Sequence, residues 1–399
     1  MRIITPIVFF FSLLCQAQWT QLPDFPGTPR DDAAAFTVGG KIYVGTGYAV
    51  GWVLMNDWFC YDPATETWTS IASLPADPRQ YCTTFTIADT GYVFGGLGPN
   101  GALDELWAYH PGTDQWEQKA SLPAEPRYAC VASWLYTVDA ILATGMLASG
   151  VPTNEAWKYR SYDDIWSPLA PVPGPARHRA ASFDSTGGLA VLGGADSAFN
   201  ALKDCWRYPG IFQTGEWYAM DSLPEPRWGA DGGGSGVHVL ACGATTQQQF
   251  HTETWWSSNG WTALSPFPNG PRRGGVGSGI LGSQQWTSTL YYGLGLDGTL
   301  ARRNDWWRLD MIVGIEERDP ITSFTLFPVP TDLELSVELH PKAIGASIMI
   351  TTADGRTVHE QKVESSTIVI DTRNYTKGVY GLTVRTPEGV STQRFVVQH

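Results

Sequence analysis

A chain of 399 residues is longer than one ordinary compact domain, so two or three domains or an array of repeats is expected. Charged residues make up only 16% of it while Gly, Pro and Trp number 43, 27 and 18, which argues against long helices and for many short strands, tight turns and aromatic filling. The formal charge of -13 excludes a general nucleic-acid binder, which must neutralise phosphates with Lys and Arg.

The N-terminus reads as an export address. Residues 1–17, "MRIITPIVFFFSLLCQA", carry one Arg near the start, an apolar run from Ile7 to Leu14 and small residues before a cleavage point after Ala17. The rival reading makes Cys15 a lipid-anchored residue, against which stands the bulk of Leu14. No other stretch approaches the roughly 18 apolar residues of a membrane span, so no transmembrane helix is expected in the mature chain.

From Trp19 onward a fragment recurs. "WTQLPDFPGTPR", "WTSIASLPADPR", "WEQKASLPAEPR", "WSPLAPVPGPAR", "WYAMDSLPEPR" and "WTALSPFPNGPR" begin at Trp19, Trp68, Trp116, Trp166, Trp217 and Trp261. Their closing arginines, Arg30, Arg79, Arg127, Arg177, Arg227 and Arg272, are spaced by 49, 48, 50, 50 and 45 residues, the period of propeller blades. After each Arg come a short apolar stretch and a second one ending in glycines, such as "GYVFGGLG". An acidic-aromatic strand such as "DELWAYH" follows, and then the next Trp-led strand. Four short strands separated by Gly, Pro and Asx turns make one antiparallel blade.

Twelve of the eighteen tryptophans are assigned to two repeat positions. These are Trp58, Trp107, Trp157, Trp206, Trp255 and Trp306 on the third strand and the six leading tryptophans on the fourth. Their flat rings are expected to pack between adjacent sheets, since each blade buries its faces only against its neighbours. The sixth unit, Arg272 to Asp310, lacks a fourth strand, while Trp19 belongs to a fourth strand with no preceding three. Both deficits vanish if the N-terminal strand completes the last blade, which leaves no open sheet edge. The expected fold class is therefore all-β: a six-bladed propeller over residues 18–312, closed by its N-terminal strand.

The glycine pairs Gly95-Gly96 and Gly193-Gly194, the Tyr61-Asp62 step and each fourth-strand Trp make this portion resemble the kelch-repeat family. Thr144-Gly145 and Cys242-Gly243 depart from the double glycine, and blade five is short between Trp255 and Trp261. Cys60, Cys82, Cys130, Cys205 and Cys242 remain once Cys15 is removed. Five is an odd number in a large chain, so buried thiols are expected rather than a disulfide framework, with Cys82 and Cys130 the one pair whose repeat positions suit a bridge. No CxxC or HExxH spacing occurs, so neither a metal site nor a cofactor is expected.

The pattern stops after Asp310. Residues 313–322 read as a linker, and residues 323–399 as a small β-sandwich of alternating strands with hairpin turns at Asp354-Gly355 and Glu388-Gly389. Pro328 and Pro330 before an alternating strand, the Asp354-Gly355-Arg356 turn, and Lys377-Gly378-Val379-Tyr380 before the terminal strand resemble the C-terminal sorting domain of the type IX secretion system of Bacteroidetes. Val329 stands where that family usually has Asn. The resemblance implies engagement with the type IX machinery, export through the periplasm and outer membrane, removal of the tail, and release or attachment at the cell surface. An ordinary adhesive sandwich module is the alternative.

No nucleophile motif, phosphate loop or metal spacing supports catalysis, and no catalytic residue is assigned. The first functional reading is an extracellular binding module for a glycan or protein ligand. The second follows from a resemblance to the N-acetylneuraminate epimerases, exported kelch propellers that open and close a sugar ring. That chemistry needs an acid, a base and a cation for the carboxylate, with Asp31, Asp32 and Asp231 as the acid and base candidates. The six repeated arginines have two readings. Sixfold recurrence is what inter-blade bracing produces. Alternatively they anchor a ligand carboxylate near the central opening, beside residues that differ between repeats. On that second reading Arg30, Arg79, Arg127, Arg177, Arg227 and Arg272 are binding candidates, with Tyr128 and Trp228 stacking on a sugar face and His178 a further ligand-binding candidate beside them.

Overall fold

The structure is a computed structural model that describes residues 17–135, 139–184, 188–210, 215–233, 238–257, 260–281, 287–312, 324–339, 343–352, 356–386 and 389–398. The leader up to residue 16, the linker at 313–322, the Asp354-Gly355 turn and Glu388 lie outside the described residues. The chain divides into two compact units, one of them Leu14–Val313 and the other containing Gly314–His399.

The first unit is built from six four-stranded antiparallel sheets, with no α-helix among the described residues. Blade one is Ala34–Val38, Lys41–Gly45, Trp58–Asp62 and Thr67–Ile71, in that order from inside to outside. The next four blades repeat it, and their innermost strands are Thr83–Ile87, Val131–Leu135, Ala181–Asp184 and Asp231–Gly233. Blade six takes Val276–Leu281, Thr287–Gly293 and Trp306–Ile312 from the end of the unit and Gln18–Leu22 from its beginning. The seam strand pairs with the third strand from Gln18 opposite Asp310 to Leu22 opposite Trp306. The six innermost strands pack each against the next, and blade six against blade one, so the sheets form a closed ring.

Each interface between blades holds one apolar cluster, because a sheet buried on both faces has only its neighbours to bury against. Phe85, Tyr92 and Phe94 of blade two meet Leu142, Tyr159 and Trp166 of blade three in one of them. Ile42, Val44 and Tyr61 of blade one meet Leu22, Tyr291 and Trp306 of blade six across the seam. The fourth-strand tryptophans add a polar latch at the rim. Their indole N–H groups donate to a backbone carbonyl of the preceding blade: Trp68 to Pro23 at 3.0 Å, Trp116 to Ala72 at 2.8 Å, Trp166 to Ala120 at 2.8 Å, Trp217 to Ala170 at 2.8 Å and Trp261 to Asp221 at 3.0 Å. Trp19 donates to Ser265 at 3.0 Å, so the seam strand continues the same series.

The third-strand tryptophans need a correction. Trp107, Trp157, Trp206 and Trp255 share one register, but Trp58 and Trp306 stand one residue earlier, where the other blades have Leu106, Ala156, Cys205 and Thr254. In a strand a one-residue offset points the side chain to the opposite face. Both displaced rings are fully buried opposite glycine, Trp58 across from Gly45 and Trp306 across from Gly293. A Cβ on Gly45 would lie 2.2 Å from the Trp58 ring, so the glycine is the space the ring occupies.

The second unit packs a three-stranded sheet of Phe324–Phe327, Glu334–Leu339 and Thr367–Asp371 with a four-stranded sheet of Thr357–Lys362, Ser347–Thr352, Gly378–Thr386 and Gly389–Val397. Leu335, Val337, Ile348, Ile350, Leu382, Val384 and Phe395 share one core between the sheets.

Because the seam strand carries the Trp19 latch and a quarter of blade six, its loss exposes both neighbouring interfaces. Deleting residues 18–29 is expected to lower the melting temperature and broaden the unfolding of the whole ring, read by calorimetry. An unchanged, equally sharp transition would contradict closure at this seam.

Candidate binding face

The recurring Pro-Arg ending marks where the chain passes from the outer strand of one blade to the inner strand of the next. All six guanidinium groups are buried, at 0–1% exposure, and each meets a carboxylate. Arg30 binds Asp57 at 2.5 and 2.9 Å, Arg79 binds Glu105 at 2.7 Å and Arg127 binds Glu155 at 2.8 Å. Arg177 binds Asp204 at 2.6 Å, Arg227 binds Glu225 at 3.0 Å and Glu253 at 3.3 Å, and Arg272 binds Asp305 at 2.7 Å. Apart from Glu225, the acids are those that open the third strands, and several also accept the indole N–H two residues on, as Asp204 does from Trp206 at 2.6 Å. Burial pushes the Asp204 carboxyl up, but its bonds to Arg177 and Trp206 outweigh this and leave it below the usual range.

The glycine pairs belong to the same device. In every blade both residues of the pair are left-handed, from Thr46 and Gly47 at φ 56° and 101° to Leu294 and Gly295 at 57° and 89°. In four blades the first residue turns its carbonyl onto the arginine: Thr46 O accepts from Arg30 at 3.0 Å, Gly95 O from Arg79 at 3.3 Å, Gly193 O from Arg177 at 3.0 Å and Leu294 O from Arg272 at 2.6 Å. The second must be glycine, since a Cβ on Gly145 would lie 2.4 Å from the Cys130 sulfur. This is why Thr144 and Cys242 are tolerated at the first place of the pair.

The bracing reading of Arg30, Arg79, Arg127, Arg177, Arg227 and Arg272 therefore describes their placement, and none of the six presents a guanidinium to solvent. The residues after them are held in short ladders with the loop between second and third strands. Arg127–Tyr128 pairs with Met146–Leu147, and Arg272–Arg273 with Leu296–Asp297, while His178 bridges to Ala195 and Trp228 to Ala244. These ladders put both sets of loops on one face. They also correct the expectations that Trp228 stacks on a sugar face and that His178 contacts a ligand. His178 is 0% exposed, and Trp228, 4% exposed, spends its N–H on Thr245 O at 3.0 Å. Tyr128 is half-buried, with its ring 5.8 Å from that of Tyr81.

One residue further, the chain surrounds the axis. Asp32, Tyr81, Ala129, Arg179, Gly229 and Gly274 are all left-handed, at φ between 52° and 59°. Their backbones form a closed collar in which each N–H donates to the carbonyl of the preceding blade. The distances are 3.0 Å from Tyr81 to Asp32, 2.9 Å from Ala129 to Tyr81, 3.0 Å from Arg179 to Ala129, 2.9 Å from Gly229 to Arg179, 2.9 Å from Gly274 to Gly229 and 2.8 Å from Asp32 to Gly274. The collar residues line a central cavity of about 960 Å³ that runs along the innermost strands.

Since three collar positions are Ala or Gly, the mouth is furnished by Asp32, Tyr81 and Arg179. The Arg179 guanidinium lies 4.3 Å from the centre of the Tyr81 ring and 5.5 Å from that of Phe199, and its Nη1 donates to His178 Nδ1 at 2.6 Å. Burial, then the Arg179 charge, holds the His178 imidazole down at about 4, so it is neutral and free to accept that bond at pH 7. Among the described residues Arg179 has no carboxylate partner. Arg273 differs, facing Asp32 at 3.3 Å and Asp31 at 3.4 Å, and Arg302 donates to Asp31 at 2.6 Å.

Two carboxyls here titrate far from the usual range. Asp231 lines the cavity, accepts N–H bonds from Gly232 at 2.8 Å and Gly277 at 2.9 Å, and is pushed by burial up to about 7. Asp31 is pushed up to about 7 by burial and by Asp32 beside it, against the pull of Arg273 and Arg302. The thiols do not compete for such chemistry, because burial raises Cys82 to about 11 and Cys130 to about 12, and both are free. No group of His, Cys, Asp and Glu suited to holding a metal occurs among the described residues.

Removing one partner of a buried pair strands the other charge. Arg177→Met is expected to cost about 3 kcal/mol of folding stability in denaturant titration, and the double variant with Asp204→Asn to recover part of it. A single variant as stable as the parent would contradict the bracing role. Asp231 supplies a pH signature. Its carboxyl rises from the usual 3.8 to about 7 on folding, so its contribution to stability is full below about pH 4 and is lost as pH rises through 7. Asp231→Asn, which cannot ionise, is expected to gain melting temperature relative to the parent between pH 4 and pH 8. Parallel profiles would contradict the buried placement of this carboxyl.

The family comparisons agree with this architecture. The KLHDC2/KLHL20/DRC7 kelch-repeats domain matches residues 7–194, and the secretion system C-terminal sorting domain matches residues 325–398. No curated protein matches the chain. A solved structure titled "Structure of YjhT" is similar with a TM-score of 0.64 at 16% identity, over 74% of this chain and 98% of that one, which shows a shared fold. No helix among the described residues is long and apolar enough to cross a membrane. The chain is a kelch-repeat β-propeller protein that ends in a type IX secretion sorting domain and is exported to the cell surface or the extracellular space.

Proposed function

We propose that this exported propeller is a binding module whose loop face takes an acidic sugar or a similar small carboxylate at the collar. The observation that carries the reading is Arg179. It is a half-buried guanidinium at the mouth of a large cavity, oriented by His178 and Tyr81, with no carboxylate of the described residues against it. A guanidinium already fixed in place costs little ordering on meeting a carboxylate, and its planar fork matches that group. Tyr81 and Phe199 supply flat faces beside it, and Asp32 and the collar backbone supply polar contacts for hydroxyl groups. In this reading the leader of residues 1–17 directs entry into the periplasm and the tail hands the protein to the type IX machinery, so the ligand is met outside the cell.

A second reading, a sugar mutarotase similar to the N-acetylneuraminate epimerases, is favoured by Asp31 and Asp231, which titrate near neutrality on the same propeller as that cation. Ring opening moves one proton from the anomeric hydroxyl and returns one to the ring oxygen, and a carboxyl poised near pH 7 suits either transfer.

One NMR experiment addresses both. On titration with N-acetylneuraminate the protein is expected to bind, and Arg179→Gln to weaken binding by about tenfold or more while the fold is unchanged, since charged hydrogen bonds are worth about 1.5–3 kcal/mol. Equal affinity of the folded variant would overturn the collar site. Exchange between the two anomers, read in the same spectra, would speed up under the mutarotase reading and stay at the spontaneous rate for a binding module.

A further inference from the structure

A single row of contacts crosses the loop face from blade one to blade four, which lie opposite one another in the ring of six. At one end is Trp52, at the tip of the loop between the second and third strands of blade one, 74% exposed. Its φ of 64° is unusual for a bulky residue, and the ring lies 5.0 Å from the Arg302 guanidinium. Arg302 is fixed in turn by Asp31 at 2.6 Å and by Tyr48 O at 2.7 Å, and is 4.8 Å from the Tyr48 ring. Asp31 leads through Arg273 and Asp32 to Tyr81, which touches Arg179. At the far end Phe199 repeats the arrangement of Trp52. It sits in the corresponding loop of blade four, has φ 59°, is 38% exposed and lies over Arg179.

We propose that this row binds a linear acidic oligosaccharide, with one carboxylate at Arg179 and a sugar further along the chain laid on the Trp52 ring. The inference rests on the collar reading given above and extends it from one sugar to a chain. The units of such a polymer present C–H faces and carboxylates in turn, which suit the rings at the two ends and the cation between them. Trp52 is suited to the outer place because Arg302 and Tyr48 already fix its ring, so little rotamer freedom is lost on binding while most of its surface stays open. Val50 at 49% and Val53 at 51% exposure widen the apolar platform without adding a competing charge.

Calorimetric titration of the full chain with N-acetylneuraminate and with its linear homotetramer tests this. The tetramer is expected to bind about tenfold more tightly per site than the monomer, the gain of one well-placed ring contact. Trp52→Ala is expected to reduce that advantage to twofold or less while leaving monomer affinity and melting temperature unchanged, and Trp52→Phe to restore most of it. Equal affinity of the parent for tetramer and monomer, or a tetramer advantage that survives Trp52→Ala, would overturn the extended site and leave the collar reading standing. Failure of the parent to bind either probe would overturn both.

Discussion

Six guanidinium groups are withdrawn from water in this propeller, and the remainder of the repeat is arranged around satisfying them. An unpaired buried charge is prohibitively costly, so each arginine requires a carboxylate and carbonyl oxygens in fixed positions. The carboxylate opens the third strand of the same blade, and the carbonyl is turned inward by a left-handed pair that ends the second strand. Three motifs separated by up to 33 residues, Pro-Arg, the glycine pair and the acid before the tryptophan, are thus parts of one buried ion-pair site repeated around a ring. The collar bonds and the indole latches then tie each such site to the next blade.

This division has a functional consequence. A ring of identical positions cannot read an asymmetric ligand, so recognition has to come from the places where the repeats differ. Those places are one and two residues past the arginine and at the tips of the loops above. At the collar the side chains run Asp32, Tyr81, Ala129, Arg179, Gly229 and Gly274, three with chemistry and three that leave room. The framework spends its arginines on itself, and the arginine that differs, Arg179, is the one left facing the opening. The full chain carries a formal net charge of -13, so a cation at this mouth stands out for an incoming anion.

Much of the architecture was legible because its signals are periodic. The spacing of the arginines, the missing fourth strand of the last unit and the orphan strand at Trp19 together specify a ring closed by the N-terminus. What was not legible is anything that depends on a one-residue offset or on burial. Trp58 and Trp306 look equivalent to Trp107 in the sequence, yet a one-residue offset puts each ring on the other face, where the glycine opposite leaves it room. The repeated arginines look like a cationic ring, yet the acids that bury them lie 26 to 33 positions away. His178 and Trp228 occupy variable positions and are still buried, Trp228 among Ala195, Ala244 and Phe250 and His178 against the Phe199 ring. The residues that furnish the mouth could have been found by asking which position of each repeat needs a left-handed backbone next to the inner strand. Gly229 and Gly274 at that position hint at it, but Tyr81 and Arg179 conceal it.

The most direct test follows the arginine side chains themselves. In a spectrum of the arginine Nε–H groups, titration with N-acetylneuraminate should shift the Arg179 signal, with smaller effects at Arg273. The signals of Arg30, Arg79, Arg127, Arg177, Arg227 and Arg272 should stay in place, as buried braces require. Shifts concentrated in those six, with Arg179 unmoved, would contradict the separation of framework and site on which this account of the molecule rests.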